Sequence, residues 1–109
     1  MPAFVLIHGY TGTPRDLAPL ADDLAARFGR QSVCTVSLPG HDQDVPPPYD
    51  EAGFVRAVAV ACEEMAHRRD RIVLLGHSTG GTLALAALAQ HLVRPALLVL
   101  MATPHHVDG

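Results

Sequence analysis

One serine of this 109-residue chain stands where its hydroxyl could act as a nucleophile. The run Gly76-His77-Ser78-Thr79-Gly80 follows the apolar residues 72–75 and precedes a run rich in Ala and Leu. The pattern predicts a strand, a sharp turn and a helix, which is the context of a G-x-S-x-G nucleophile elbow. The alternative is a glycine-rich turn with an incidental serine, but the flanking strand and helix favour the catalytic interpretation.

A serine nucleophile needs a base, and the base needs an acid that orients it. In elbow hydrolases the acid and then the histidine follow the serine along the chain. Only 31 residues follow Ser78, and they offer His105, His106 and Asp108 as weak candidates for a substitute base or acid. An ordinary polar loop at these positions is the alternative that we favour.

The composition excludes several other functions. A formal charge of −3 without a basic cluster argues against a nucleic-acid partner. The chain has no lysine, so a P-loop lysine, a Schiff-base lysine and a Ser–Lys pair are absent. Cys34 and Cys62 form neither a C-x-x-C motif nor a metal-ligand spacing, which predicts buried reduced thiols. We expect no metal and no cofactor. The N-terminus lacks a signal-peptide pattern and no apolar run is long enough to span a membrane, so we expect a cytoplasmic protein.

Strands and helices alternate along the sequence, which predicts an α/β fold with a parallel sheet of about four strands and helices on both faces. We expect Asp16 to cap the first helix, with Pro19 in its first turn, and the third helix to be deeply buried. The predicted strands cover 3–7, 32–37, 71–75 and 95–101, and the predicted helices end at Gly29, Arg68 and Leu92.

Three motifs together resemble the α/β-hydrolase superfamily, in its carboxylesterase and monoacylglycerol-lipase-like branch. They are the glycine-bearing loop 8–14, the Leu38-Pro39-Gly40-His41 loop and the elbow 76–81. The resemblance covers residues 1–109 as a single domain that corresponds to the third through sixth strands of the family fold. On that correspondence we expect a partial fold, truncated after the sixth strand.

The resemblance implies a role for each motif residue. Ser78 is then the nucleophile of a serine ester hydrolase, and the backbone N–H groups of Tyr10 and Thr79 form the oxyanion hole. His8 and His77 occupy positions that brace loops in the family. The acid and histidine of the triad come after further strands and are expected from outside this chain.

Two other functions remain open. The same serine could serve an acyltransferase or thioesterase, and a hydrolase-like module without a triad could bind ligands without catalysis. A small-molecule ester is the expected substrate. The fourth strand is rich in Leu and Val, so its open edge predicts association with the C-terminal remainder, a second subunit or another copy.

Overall fold

The computed structural model describes residues 2–9, 14–39 and 48–101. Its four strands form one parallel sheet in the order β2-β1-β3-β4, flanked by three α-helices. The predicted fold class is therefore confirmed. The strands are β1 (Pro2–Ile7), β2 (Val33–Val36), β3 (Arg71–His77) and β4 (Leu97–Met101), and the helices are α1 (Ala18–Phe28), α2 (Glu51–Ala66) and α3 (Thr79–Ala89).

Alternation along β1 explains why helices cover both faces of the sheet. Successive side chains of a strand point to opposite faces. Ala3, Val5 and Ile7 belong to the larger apolar cluster, which is built with α2 and α3. Phe4 and Leu6 belong to a second cluster with α1, where the Phe4 and Phe28 rings lie 4.7 Å apart. Because β1 is apolar on both faces, it forms the centre of the molecule.

The strand order reverses direction between β1 and β3. From β1 the chain crosses to β2 on one side, and β3 and β4 then lie on the other side. Open parallel sheets bind their ligands at such a switch point, outside the carboxyl ends of the strands. In this chain the two strands at that point end at Ile7 and His77, so the fold places the loop after β1 beside the loop after β3.

The start of the first helix differs from the prediction. A short 3₁₀ helix, Pro14–Leu17, precedes α1, and Leu17 rather than Asp16 is the N-cap, without a side-chain hydrogen bond. Pro19 lies in the first turn, as expected, where its missing N–H has no intrahelical partner. The 3₁₀ turn takes over the entry into the helix, so no aspartate cap is needed.

The second and third helices are shorter than predicted. α2 begins after Asp50, whose carboxylate accepts the Gly53 N–H at 3.1 Å, and it ends two residues before Arg68. α3 ends at Ala89, because His91 turns the chain with a φ of 59°. The N–H groups of His91 and Leu92 close this end by bonding to the carbonyls of Leu88 and Ala87, both at 3.0 Å.

Deep burial of α3 on all sides was a wrong prediction. Its inner face is packed in the core through Leu83, Ala84 and Ala87, but Leu85 and Leu88 are exposed. The sequence of this helix is apolar on nearly every side, so its pattern could not reveal which face lacks a covering layer. None of the helices in the described ranges has both the length and the apolar character needed to cross a membrane.

We predict that Leu74→Ala lowers the free energy of unfolding by about 2–5 kcal/mol, because the fully buried side chain leaves a cavity in the larger apolar cluster. Leu88→Ala is the matched control, since it removes the same atoms from an exposed site. Urea unfolding followed by circular dichroism measures both. Equal losses for the two variants would contradict the packing described above.

Candidate active site

Ser78 occupies a sharp turn between β3 and α3. Its φ of 56° and ψ of −124° lie in a region that residues with a side chain rarely adopt. Holding a non-glycine residue there costs on the order of 1–3 kcal/mol, and such strain is typical of functional sites. The side chain is half-buried. The geometry expected of an elbow is therefore present at this serine.

The two glycines of the motif are required by close backbone contacts. A Cβ atom added at Gly76 would lie 2.6 Å from the backbone nitrogen of Gly81. A Cβ atom at Gly80 would lie 2.7 Å from the His8 carbonyl oxygen and closer still to that of Ile7. Real Cβ contacts are longer than this, so any side chain at either position would push α3 away from the sheet.

The loop after β1 reaches Ser78 directly. A Cβ atom built on Gly9 would lie 3.5 Å from the Ser78 Cβ atom and 3.8 Å from its hydroxyl oxygen. These are ordinary contact distances, so the backbone of Gly9 lies against one side of the Ser78 side chain. Within the described residues, the loop after β1 and the turn after β3 therefore meet at one edge of the sheet.

His8 joins two of the three motif loops. Its ring is fully buried, with Nδ1 2.7 Å from the Gly9 carbonyl oxygen and Nε2 accepting the Leu38 N–H at 3.3 Å. An Nε2 that accepts a hydrogen bond carries no proton, so the ring is the neutral tautomer with its proton on Nδ1. Both ring nitrogens thus contact backbone groups, which agrees with a bracing role.

A contact that the sequence did not indicate also fixes the turn. The Ser78 N–H donates to the carbonyl oxygen of Met101 at 2.8 Å, which extends the pairing of β3 and β4 by one residue. The Ser78 carbonyl in turn accepts the Gly81 N–H at 2.9 Å. The acceptor is a backbone carbonyl, which side-chain patterns in the sequence do not indicate. Only the register of β3 and β4 could have predicted this hydrogen bond.

Thr79 is the first residue of α3, so its N–H has no acceptor within the helix and lies at the positive end of the helix dipole. That position suits an oxyanion donor.

Tyr10, the other predicted donor, lies outside the described residues, as do His41, His105, His106 and Asp108. His77 ends β3 and is half-buried.

Two cavities lie away from Ser78. One, of about 440 Å³, lies between β2 and α2, and the other, of about 320 Å³, lies between α2 and the segment 91–94. Within the described ranges, no group of three or more His, Cys, Asp or Glu side chains could hold a metal ion.

The strained serine turn, the close glycine contacts and the order of the parallel strands agree with an alpha/beta hydrolase fold. The chain belongs to the alpha/beta hydrolase fold family, whose model matches residues 2–108.

Of two curated relatives, one is named an esterase and the other a lipase. The pimeloyl-[acyl-carrier protein] methyl ester esterase of Xanthomonas campestris pv. campestris is 34% identical over 110 residues, covering 99% of this chain and 40% of that protein. The thermostable monoacylglycerol lipase of Bacillus sp. strain H-257 is 35% identical over 92 residues, covering 80% and 34% respectively. The chain therefore spans less than half the length of these relatives.

Solved structures agree with this assignment. The structure reported for the metagenome-derived lipolytic enzymes LipS and LipT superposes with a TM-score of 0.83 at 25% identity, covering 99% of this chain and 44% of that one. A bacterial heroin esterase matches with a TM-score of 0.71 at 26% identity, covering 94% and 35%.

We predict that Gly80→Ala destabilises the protein by about 1–3 kcal/mol, because its methyl group would meet the Ile7 and His8 carbonyls. Gly9→Ala is the control, since its methyl group would meet the Ser78 side chain and the His77 carbonyl oxygen at ordinary contact distances. Thermal and urea unfolding compare the two. A neutral Gly80→Ala would mean that α3 does not lie this close to β1.

His8→Ala should cost roughly 1–3 kcal/mol, because the buried Leu38 N–H loses its acceptor. His8→Gln can place an amide oxygen near the Nε2 position and should recover part of the loss. Hydrogen exchange of the Leu38 amide, together with the unfolding free energy, measures the effect. An unchanged exchange rate in His8→Ala would contradict the bracing role.

Proposed function

We propose that this chain carries the nucleophile of a serine hydrolase that cleaves carboxylic esters through an acyl-enzyme on Ser78. The observation that carries the proposal is the strained Ser78 turn between β3 and α3, with the Gly9 backbone against its side chain. The names of the two esterase relatives support an ester as the substrate class.

In the proposed reaction the Ser78 hydroxyl oxygen attacks the ester carbonyl carbon while a histidine base takes its proton. The carbonyl oxygen becomes an oxyanion, which the N–H groups of Thr79 and Tyr10 stabilise. Each such donor contributes roughly 3 kcal/mol at the transition state. The alcohol then leaves with the proton, and water releases the acid from Ser78 by the same steps in reverse.

The histidine and acid are proposed to come from outside residues 1–109. Within the described ranges no histidine is hydrogen-bonded to the Ser78 hydroxyl, and His8 is engaged with backbone groups. The curated relatives extend well beyond the matched part. Without a base the serine hydroxyl is a weak nucleophile, so the 109-residue chain alone should turn over esters slowly, through binding and oxyanion stabilisation only.

An acyltransferase or thioesterase would use the same serine and the same donors, with a thiol or another alcohol in place of water. A thioesterase domain from the curacin biosynthetic pathway matches with a TM-score of 0.71 at 23% identity, which is a likeness of fold alone. Ester hydrolysis is the better supported proposal, because both esterase relatives share more than 30% identity with this chain.

The outer edge of β4 is the proposed place for further structure. Leu97 and Leu100 on this last strand are exposed, and an open apolar strand edge favours pairing with another strand. The remainder of a longer protein, a second subunit or another copy could each supply that strand.

We predict that a fluorophosphonate probe labels Ser78 in the complete enzyme and that Ser78→Ala abolishes labelling and lowers kcat by roughly 10⁶-fold. Ser37→Ala is the control, because Ser37 is an exposed serine in the loop after β2. Mass spectrometry locates the adduct, and hydrolysis of a short-chain p-nitrophenyl ester gives the rate. Labelling that persists in Ser78→Ala would refute the assignment, and no labelling of any serine would favour a binding module.

A further inference from the structure

The backbone just before Ser78 is held in the sheet by β4. The pairing of β3 with β1 ends at Gly76, opposite Ile7, whereas the pairing of β3 with β4 continues one residue further, to His77 opposite Met101. The next N–H along the chain, that of Ser78, donates to the Met101 carbonyl oxygen at 2.8 Å. Within the described ranges, β4 is therefore the strand that extends the sheet up to the serine.

The two backbone groups of Ser78 are fixed by different elements. Its N–H is bound by the end of β4, and its carbonyl oxygen accepts the Gly81 N–H from the first turn of α3 at 2.9 Å. The torsion φ describes the rotation between the peptide planes on either side of a Cα atom, so its value is set only when both planes are held. The φ of 56° at Ser78 therefore depends on β4 as well as on α3.

The strain at Ser78 makes this dependence matter for the side chain. A residue stays in a sparsely populated backbone conformation only where the surrounding structure over-determines it. The bond to Met101 opposes relaxation of Ser78 toward a negative φ. Such a relaxation would turn the Cβ atom, and the hydroxyl attached to it, away from the direction set at the first turn of α3.

Met101 is itself anchored by its side chain, which is half-buried and packs against the apolar cluster built with α1. Val99 packs against the same cluster from the same strand and is also half-buried. However, Val99 pairs with Leu75 in the strand register, two residues before the acceptor of the Ser78 N–H. The two side chains therefore provide matched sites, one at the acceptor and one away from it.

We propose that Met101 is a positioning residue for the reaction of Ser78, with its backbone carbonyl as the acting group. The proposal rests on the proposed function, in which Ser78 is the nucleophile. The carbonyl acts through Ser78 rather than on a substrate: it fixes the peptide plane before the serine, and the fixed plane holds the hydroxyl in its orientation. Loss of this bond lowers the reactivity of the hydroxyl while the sheet and the core stay folded.

The alternative is that this hydrogen bond only adds stability, as any bond between neighbouring strands does. The two interpretations differ in what they predict for matched variants. A purely structural bond changes the free energy of unfolding and leaves the reactivity of the folded protein unchanged. A positioning bond changes the reactivity of Ser78 under conditions in which the protein is fully folded.

The most direct test removes the donor and keeps the hydroxyl. A suppressor tRNA acylated with glyceric acid replaces Ser78 of the complete enzyme by its α-hydroxy acid counterpart, so that an ester oxygen stands in place of the N–H and cannot donate to Met101. Labelling by the fluorophosphonate probe should slow by roughly 10- to 100-fold, because small displacements of a reacting group have effects of this size. An unchanged labelling rate would overturn the proposal.

Side-chain variants test the same role in an intact backbone. Met101→Ala removes the packing that anchors the acceptor, and Val99→Ala is the matched control. Met101→Ala should slow labelling by roughly tenfold and speed hydrogen exchange of the Ser78 amide, whereas Val99→Ala should leave both nearly unchanged. Met101→Leu keeps most of the side-chain volume and should restore both. Urea unfolding confirms that each variant is folded under the assay conditions.

Hydrolysis of a short-chain p-nitrophenyl ester separates binding from chemistry. The loss in Met101→Ala should appear in kcat, because the orientation of the hydroxyl matters in the transition state. Equal labelling rates in Met101→Ala and Val99→Ala would refute the positioning role, as would a loss that appears in KM alone. A wild-type enzyme in which the probe labels no serine would instead refute the proposed function, and this role with it.

Discussion

The close approach of α3 to β1 is the constraint on which the candidate site depends. The first turn of α3 lies so near the carbonyl groups of Ile7 and His8 that only glycine fits at position 80. This contact sets the helix against the centre of the sheet, and Ser78 then has to make the connection from β3 within a single residue. The positive φ of Ser78 is therefore a consequence of packing, and the half-buried position of its side chain at the edge of the sheet is a consequence of that φ.

The same constraint explains how two distant parts of the sequence meet. The loop after β1 and the turn after β3 are separated by more than sixty residues, but their strands are neighbours at the point where the sheet order reverses. The buried ring of His8 extends the arrangement to the loop after β2 through the Leu38 N–H. In the described residues, backbone contacts and the imidazole of His8 thus hold these three segments together.

Much of this arrangement could be predicted from the sequence, because apolar strands, helix-period stripes and the two glycines beside Ser78 are local signals. The start of α1 could not be predicted from the sequence. Near Pro14 and Pro19 a 3₁₀ turn competes with an aspartate cap, and the two differ little in energy. The exposed side of α3 was also missed, because a helix that is apolar all round has no periodicity to indicate its inner face. The Met101 contact depends on strand register, which the composition of β4 does not specify. The predicted roles of the site residues stay predictions; these residues are Ser78, Tyr10, Thr79, His105, His106 and Asp108.

The hydrogen bond from the Ser78 N–H to Met101 has a consequence for the order of events in folding. Met101 is the last residue of the last described strand, so this contact with Ser78 forms only after β4 has been added to the sheet. Chains emerge from the ribosome in sequence order and begin to fold as they do. A nascent chain that has emerged only as far as α3 already contains the G-x-S-x-G motif. It still lacks the hydrogen bond to Met101, which is one of the contacts that hold the serine in its strained conformation. The strained turn at Ser78 therefore gains its full backbone support only when the sheet around it has been assembled.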